Sequence, residues 1–262
     1  MREFTDQMGR LVSIPAFPQR IISLCPSLTE SLFDLGMGDR VVGRTRFCIH
    51  PASQVRPVVR VGGTKDIVYD RVDALKPDLI LAEKEENTPE MVERLASQYP
   101  VWVADVVDLP SAYQMIDSLG RIGGVKDSAE LCVTQIKQGF DALTASFPPL
   151  SVLYFIWRNP WMVVGEGTYI HDVLTHLGLR NLGADLSGRY PHISEAEIQE
   201  MKPDLIWLSS EPYPFKSEHL AELGTFTPQI QLVDGEKFSW YGTHMQKAIP
   251  YFHKVRQELN PF

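Results

Sequence analysis

Apolar residues recur along this chain in two rhythms, short continuous runs and three-to-four-residue spacings. The runs fall at residues 20–24, 40–43, 79–82, 101–104, 152–156 and 205–208, each with the length and content of a buried strand. Amphipathic stretches lie between them. Pro26-Ser27 opens a helix whose apolar face includes Leu28, Leu32 and Leu35, closed by Gly36 and Gly38. Residues 72–75 end a short helix, and further helices are predicted over 87–97, 111–122, 169–177 (closed by Gly178), 193–201 and 242–259. Residues 4–15 alternate loosely around Gly9-Arg10 and end at Pro15, which predicts a small hairpin or an edge segment. Residues 44–60 hold two prolines and little periodicity, and are predicted as a loop. Strands alternating with helices in this way point to parallel βαβ units.

One stretch divides the pattern. Over residues 126–147 the apolar positions Ala129, Cys132, Val133, Ile136, Phe140, Leu143 and Phe147 follow the recurrence of one helix face. Asp127 with Glu130 three residues later matches a capping box, and Pro148-Pro149 stops the helix. On either side the order repeats. Ala74-Leu75-Lys76-Pro77-Asp78-Leu79-Ile80-Leu81 is matched by Glu200-Met201-Lys202-Pro203-Asp204-Leu205-Ile206-Trp207. The reading is an α/β protein of two similar lobes with parallel βαβ units, joined by a single long α-helix. The expected division is an N-terminal lobe over 1–123, a connecting helix over 124–148 and a C-terminal lobe over 149–262.

Composition adds exclusions. With 44% apolar and 22% charged residues the chain is of ordinary globular type. A formal charge of -8 argues against nucleic acid as a main partner, because phosphate binding needs a basic surface. Cys25, Cys48 and Cys132 are odd in number with no CxxC spacing, which is not a disulfide framework, and Cys132 falls on the apolar helix face. No apolar run reaches membrane-spanning length, and residues 1–7 contain no apolar core of a signal peptide. As the sequence stands, the expectation is a soluble cytoplasmic monomer without membrane insertion, periplasmic if an export signal has been removed.

Motifs for phosphate cradling, dinucleotide binding and a nucleophile elbow are missing, and the seven histidines include no HExxH pair. The chemistry-bearing residues cluster instead in loops after strands, where α/β sheets hold ligands. In the first lobe these are Phe47, Cys48, His50, Gly63, Thr64, Lys65, Glu83 and Asn87; in the second, Trp157, Trp161, Ser209, Trp240 and Tyr241. Together they are read as a binding cleft. Cys48 and His50 form a candidate metal-ligand pair, with Glu83 as a third donor from another loop.

These residues also carry a resemblance. Phe4-Thr5-Asp6 through Gly9-Arg10, the run from Pro18 to Glu30 with Pro26-Ser27-Leu28-Thr29-Glu30, Leu35-Gly36-Met37-Gly38-Asp39-Arg40-Val41-Val42-Gly43 and Val61-Gly62-Gly63 look like class III substrate-binding proteins. So do Val164-Gly165-Glu166-Gly167-Thr168, Arg189-Tyr190-Pro191 and Val233-Asp234-Gly235. These are the periplasmic receptors of ABC transporters that import vitamin B12, haem, iron siderophores and some metals. The resemblance implies two Rossmann-like lobes on a rigid helical backbone with the ligand in a cleft between them. It is strongest toward the cobalamin branch, through Arg-Tyr-Pro and Pro-Ser-Leu-Thr-Glu. Where that branch places aromatic residues against the corrin, this chain has His50, Thr64 and Glu83, while Tyr190 keeps an aromatic in the second lobe. The family's permease-docking acids fall on Asp70 and, in the second lobe, on Ala196, flanked by Glu195 and Glu197.

The resulting expectation is a non-enzymatic receptor of ABC-importer type that binds a corrinoid (cobalamin-like) or related metal chelate as its small-molecule ligand. A cytoplasmic sensing protein with the same fold and no transporter is one alternative. A metal-dependent enzyme using Cys48, His50 and Glu83 is another.

Overall fold

The computed structural model describes residues 1–144, 147–227 and 229–259. An antiparallel hairpin, β1 (Arg2–Thr5) and β2 (Leu11–Ile14), opens the chain. Five strands follow: β3 (Ile21–Ser23), β4 (Val41–Thr45), β5 (Val59–Gly62), β6 (Leu79–Glu83) and β7 (Val101–Ala104). They pair in the order β5-β4-β3-β6-β7, all in parallel. β6 and β7 are buried at every position, as strands covered on both faces must be. The second sheet contains β8 (Ser151–Trp157), β9 (Met162–Val163), β10 (Arg180–Asn181), β11 (Leu205–Ser209) and β12 (Ile230–Val233). Its parallel order is β10-β8-β11-β12, with β9 antiparallel on β8.

The chain divides into two units, each with its own core. The first comprises Met1–Val106, Pro110–Gln135 and Tyr241–His244; the second comprises Val107–Leu109, Ile136–Trp240 and Met245–Phe262. Ile22, Leu24, Ile80 and Val103 centre the first core; Leu153, Phe155, Ile206 and Leu208 centre the second. These limits differ from a division at 1–123, 124–148 and 149–262. The helix Lys126–Asp141 is shared, its residues up to Gln135 falling in the first unit, and a four-residue segment near the C-terminus returns to that unit.

That helix is shorter than the periodicity predicts. It ends at Asp141, and Ala145 and Ser146 of the expected helix lie outside the described residues. Leu143 and Phe147 are nevertheless buried, so the apolar spacing outlasts the helical hydrogen bonding. Asp127 sits inside the first turn, where its charge faces the positive end of the helix dipole. Glu130 pairs with Lys126 at 3.1 Å, so the expected Asp127–Glu130 capping box is not formed. Residues 44–60 are likewise more regular than expected. They contain the end of β4, the helix Ala52–Val55 and the start of the edge strand β5, whose Val59 and Arg60 are exposed and break any apolar run.

The repeated Lys-Pro-Asp block is a structural unit. The helices Tyr69–Leu75 and Glu195–Met201 each end on a lysine in left-handed conformation, Lys76 at φ 45° and Lys202 at φ 48°. The aspartate two residues on then clamps the start of the neighbouring strand. Asp78 accepts hydrogen bonds from the backbone N–H groups of Gln19 and Arg20, each at 2.8 Å, just ahead of β3. Asp204 Oδ2 accepts from Ser151 N at 2.8 Å and Ser151 Oγ at 2.6 Å, at the first residue of β8. β3 pairs with β6 and β8 with β11, so each clamp sets the level at which strands end and loops begin.

Candidate functional site

In the first unit, loops leave the carboxyl ends of β4, β5 and β6. Asn87 ties the loop after β5 to the ends of β3 and β6: Nδ2 donates to Thr64 O at 2.8 Å and Leu24 O at 3.4 Å, and Oδ1 accepts from Glu83 N at 2.8 Å. Gly62 makes the turn between β5 and this loop; its φ is +133°, and a Cβ there would collide with Asp66 O. Glu83, at the end of β6, is only 3% exposed. Its Oε2 accepts hydrogen bonds from Glu85 N and Glu86 N, both at 2.8 Å. Burial pushes this carboxyl up to about 7; the two backbone bonds pull it down, and the charges of Glu85 and Glu86 push it further up.

The returning segment Tyr241–His244 packs on the helix Pro26–Asp34. Tyr241 Oη lies 3.6 Å from Cys25 Sγ, Thr243 N donates to Ser31 Oγ at 3.2 Å, and Thr243 Oγ1 donates to Asp34 Oδ2 at 2.8 Å. His244 Nδ1 meets Glu30 Oε2 at 2.8 Å, with Glu30 0% and His244 2% exposed. The His50 ring lies 6.2 Å from that of His244.

Cys48 is buried, its Sγ 3.1 Å from Thr45 Oγ1, and burial raises its thiol above the usual range. Burial also holds the Cys25 thiol well above it. Among the described residues no group of three or more His, Cys, Asp and Glu side chains is arranged to hold a metal ion. Cys48, His50 and Glu83 therefore do not assemble into the three-ligand set expected of a metal-dependent site.

In the second unit, Trp157 at the end of β8 is 41% exposed and stands edge-on to Tyr213, centroids 5.6 Å apart. Trp161 stacks on Phe215 and meets Phe155 edge-on, so it belongs partly to the core. Tyr190, 36% exposed, lies in a segment whose backbone bonds along Trp161, Val163 and Gly165, with the Arg189 guanidinium 5.9 Å from its ring centre. Ser209 and Trp240 are buried and converge on Glu211. Ser209 Oγ donates to Glu211 O at 2.6 Å, and Trp240 Nε1 donates to Glu211 Oε1 at 2.9 Å, the oxygen that also accepts from Ser239 Oγ. Phe238 is fully buried in the helix Gly235–Ser239.

The expected ligand residues thus fall into two sets. Phe47 (47% exposed, beneath the Arg46 guanidinium), Lys65, Trp157 and Tyr190 present accessible side chains, and His50 and Trp161 are half-buried. Cys48, Gly63, Thr64, Glu83, Asn87, Ser209, Trp240 and Tyr241 are buried. For the docking acids, Asp70 and Glu195 are exposed in the first turns of their helices. Glu197 instead closes a capping box: its Oε2 accepts from Ser194 N at 2.7 Å and Ser194 Oγ at 2.6 Å, which holds its carboxyl low. Glu30, His244 and Glu211 were not singled out by sequence reasoning. Glu211 carried a signal, as the acid closing the Ser209-Ser210-Glu211 strand end; Glu30 carried none, because its partner is 214 residues away.

Two α/β units, each with aromatic and polar side chains gathered at the carboxyl ends of parallel strands, define a two-unit ligand-binding protein. Residues 21–227 match the family described as periplasmic binding protein, and the chain belongs to that family, one of binding proteins rather than enzymes. A vitamin B12-binding protein of Pectobacterium carotovorum is 26% identical over 257 residues, covering 94% of this chain and 91% of the relative. The crystal structure of a periplasmic vitamin B12-binding protein of Vibrio cholerae superimposes with a TM-score of 0.80 at 20% identity, covering 95% of this chain and 100% of that one. A periplasmic haem-binding protein of Pseudomonas aeruginosa does so with a TM-score of 0.76 at 21% identity, covering 92% and 93%.

Proposed function

We propose that this protein is the ligand-binding receptor of an ABC-type importer, acting without catalysis on a corrinoid or related metal chelate. The observation that carries the reading is the set of accessible aromatic rings at strand ends, Phe47 in the first unit and Trp157 and Tyr190 in the second. Flat macrocycles are held by such rings, with a few fixed polar groups setting orientation. The match to the periplasmic binding protein family and the B12-binding relative spanning nearly the whole chain support the same reading. Working in the periplasm, the receptor meets its permease through Asp70 on one unit and Glu195 on the other, both exposed; Glu197 is engaged in its own helix cap.

Mass spectrometry of small molecules co-purifying with the protein, followed by calorimetric titration with cyanocobalamin, haemin and ferric siderophores, tests the proposal. Binding of at least one at micromolar concentration or below is expected. Failure of all of them to bind would overturn it.

A further inference from the structure

Residues 40–65 carry six basic side chains, Arg40, Arg44, Arg46, Arg56, Arg60 and Lys65, and no aspartate or glutamate, in a chain whose acids outnumber its bases by 33 to 25. The first unit brings two of these cations together. Arg44 in β4 and Arg60 in the edge strand β5 are register partners, which puts their side chains on the same face of the sheet. Like charges directly opposite across two strands repel. Arg60 is exposed, whereas Arg44 is only 2% exposed.

The nearly buried guanidinium is held without an acid. Arg44 Nε donates to Val55 O at 2.8 Å and Nη1 to Thr45 O at 3.0 Å, both neutral carbonyls. Nη2 has no acceptor among the described residues, and it is not sealed from solvent as Trp102 Nε1 is. Burial and the charge of Arg60 both push the Arg44 guanidinium down from its ordinary value, although an arginine keeps its charge. Cys48 lies within electrostatic reach, but burial raises its thiol above the usual range, so it brings no negative charge at neutral pH. Two more arginines border the pair. Arg71 Nη1 donates to Arg60 O at 3.0 Å, and Arg56 follows Val55, whose carbonyl Arg44 holds. None of these four arginines has an ion-pair partner among the described residues. Arg46 and Arg10, by contrast, pair with Asp66 at 3.0 Å and with Asp6 at 2.7 Å. A nearly buried cation with an open N–H donor, beside a second cation, is completed by a small dianion that accepts from both. Guanidinium forks match the oxygens of such anions.

We propose that Arg44 and Arg60 form an oxyanion site in the first unit, taking sulfate or inorganic phosphate, with Arg44 Nη2 and the Arg60 guanidinium as donors. The site lies within one unit and stands whichever ligand the receptor carries.

Calorimetric titration of the full chain with sodium sulfate and with sodium phosphate, against sodium chloride at matched ionic strength, tests it. Wild type should bind at least one of the two oxyanions with a Kd of about a millimolar or below, and its Tm should rise and saturate over the same range. Arg60→Gln, at an exposed position, should weaken that binding by about tenfold or more, the scale of a lost charge-assisted contact. Arg60→Lys keeps the charge without the fork and should lose less. Arg60→Glu sets a carboxylate opposite Arg44, so it should abolish binding and, with no oxyanion added, melt above wild type. A Tm that climbs without saturating, with no heat of binding, is the general effect of excluded anions and would overturn the inference. So would an Arg60→Gln protein of wild-type circular dichroism and unchanged affinity, or an Arg60→Glu protein that still binds sulfate or phosphate as wild type does.

Discussion

Replacing Glu83 by Gln removes an ionisable group that the fold buries at a cost. The carboxyl rises from 4.5 to about 7, chiefly because burial strips water from its charged form. A carboxyl raised in the folded state leaves stability fully present below the unfolded value and lost as pH climbs through the folded one. Integrating between those two values, wild type loses about 2.5 kcal/mol of stability between roughly pH 5 and pH 8 through this group alone. The other groups facing it are Glu85 and Glu86, whose charges push it further up, and Cys25 and Tyr241, which burial holds well above it. The Gln variant carries the same backbone bonds at every pH, so any fixed offset from the weaker acceptor cancels between the two conditions. Relative to wild type it should therefore gain about 2.5 kcal/mol on going from the lower to the higher pH. With an m-value of about 2 kcal/mol/M, that moves the urea midpoint difference by about 1 M. Urea titrations of both proteins at both pH values, followed by circular dichroism, read this directly. A midpoint difference that is the same at both would refute the argument that burial raises Glu83.

Further outcomes follow from other contacts. Glu30→Ala and His244→Ala each remove one side of a buried hydrogen bond and should cost about 1–3 kcal/mol, with the double variant losing clearly less than the sum in a urea-denaturation cycle. Lys76→Gly and Lys202→Gly relieve left-handed conformations at equivalent positions; each should raise stability by about 0.5–1 kcal/mol, seen as a higher Tm. Asp78→Ala and Asp204→Ala remove acceptors for strand-entry N–H groups, and each should lower stability by about 1 kcal/mol, with hydrogen exchange faster at Arg20 and Ser151 respectively.

Features with local causes were the legible ones. The helix Tyr169–Leu177 was placed to the residue, because Thr168 caps its start by accepting from His171 N and Gly178 at φ 97° ends it. The Lys-Pro-Asp repeat was visible because a left-handed turn, a proline and a clamping aspartate leave the same letters in both units. β5 was hidden because an edge strand exposes Val59 and Arg60, and β12 because Gln231 and the exposed Leu232 dilute its apolar content. The helix beginning at Lys126 was overextended for the opposite reason: Leu143 and Phe147 keep the helical spacing of buried residues after the helix has ended. Among the site residues, those on strand-end loops could be listed from position alone. Which of them stay accessible depends on tertiary packing, and Trp240 and Ser209 turned inward onto Glu211.

The least legible part was the polar face of the helix Pro26–Asp34. Ser27, Thr29, Glu30 and Ser31 are polar and lie beside Leu28 and Leu32 in the sequence, yet all are buried. What covers this stripe is a segment of four residues, Tyr241–His244, too short to bring an apolar face of its own. Polar pairing solves that problem differently. Ser31 and Asp34 bind Thr243, and Glu30 binds His244, so the segment is fixed in register as well as covered. Apolar contacts would cover the same surface but would tolerate sliding, whereas a buried polar pair misplaced by one residue loses its hydrogen bond. The register matters because Tyr241 opens the segment and ends beside Cys25, within electrostatic reach of Glu83. The Glu30–His244 pair thus fixes the position of Tyr241 beside Cys25 without itself lying in a strand-end loop.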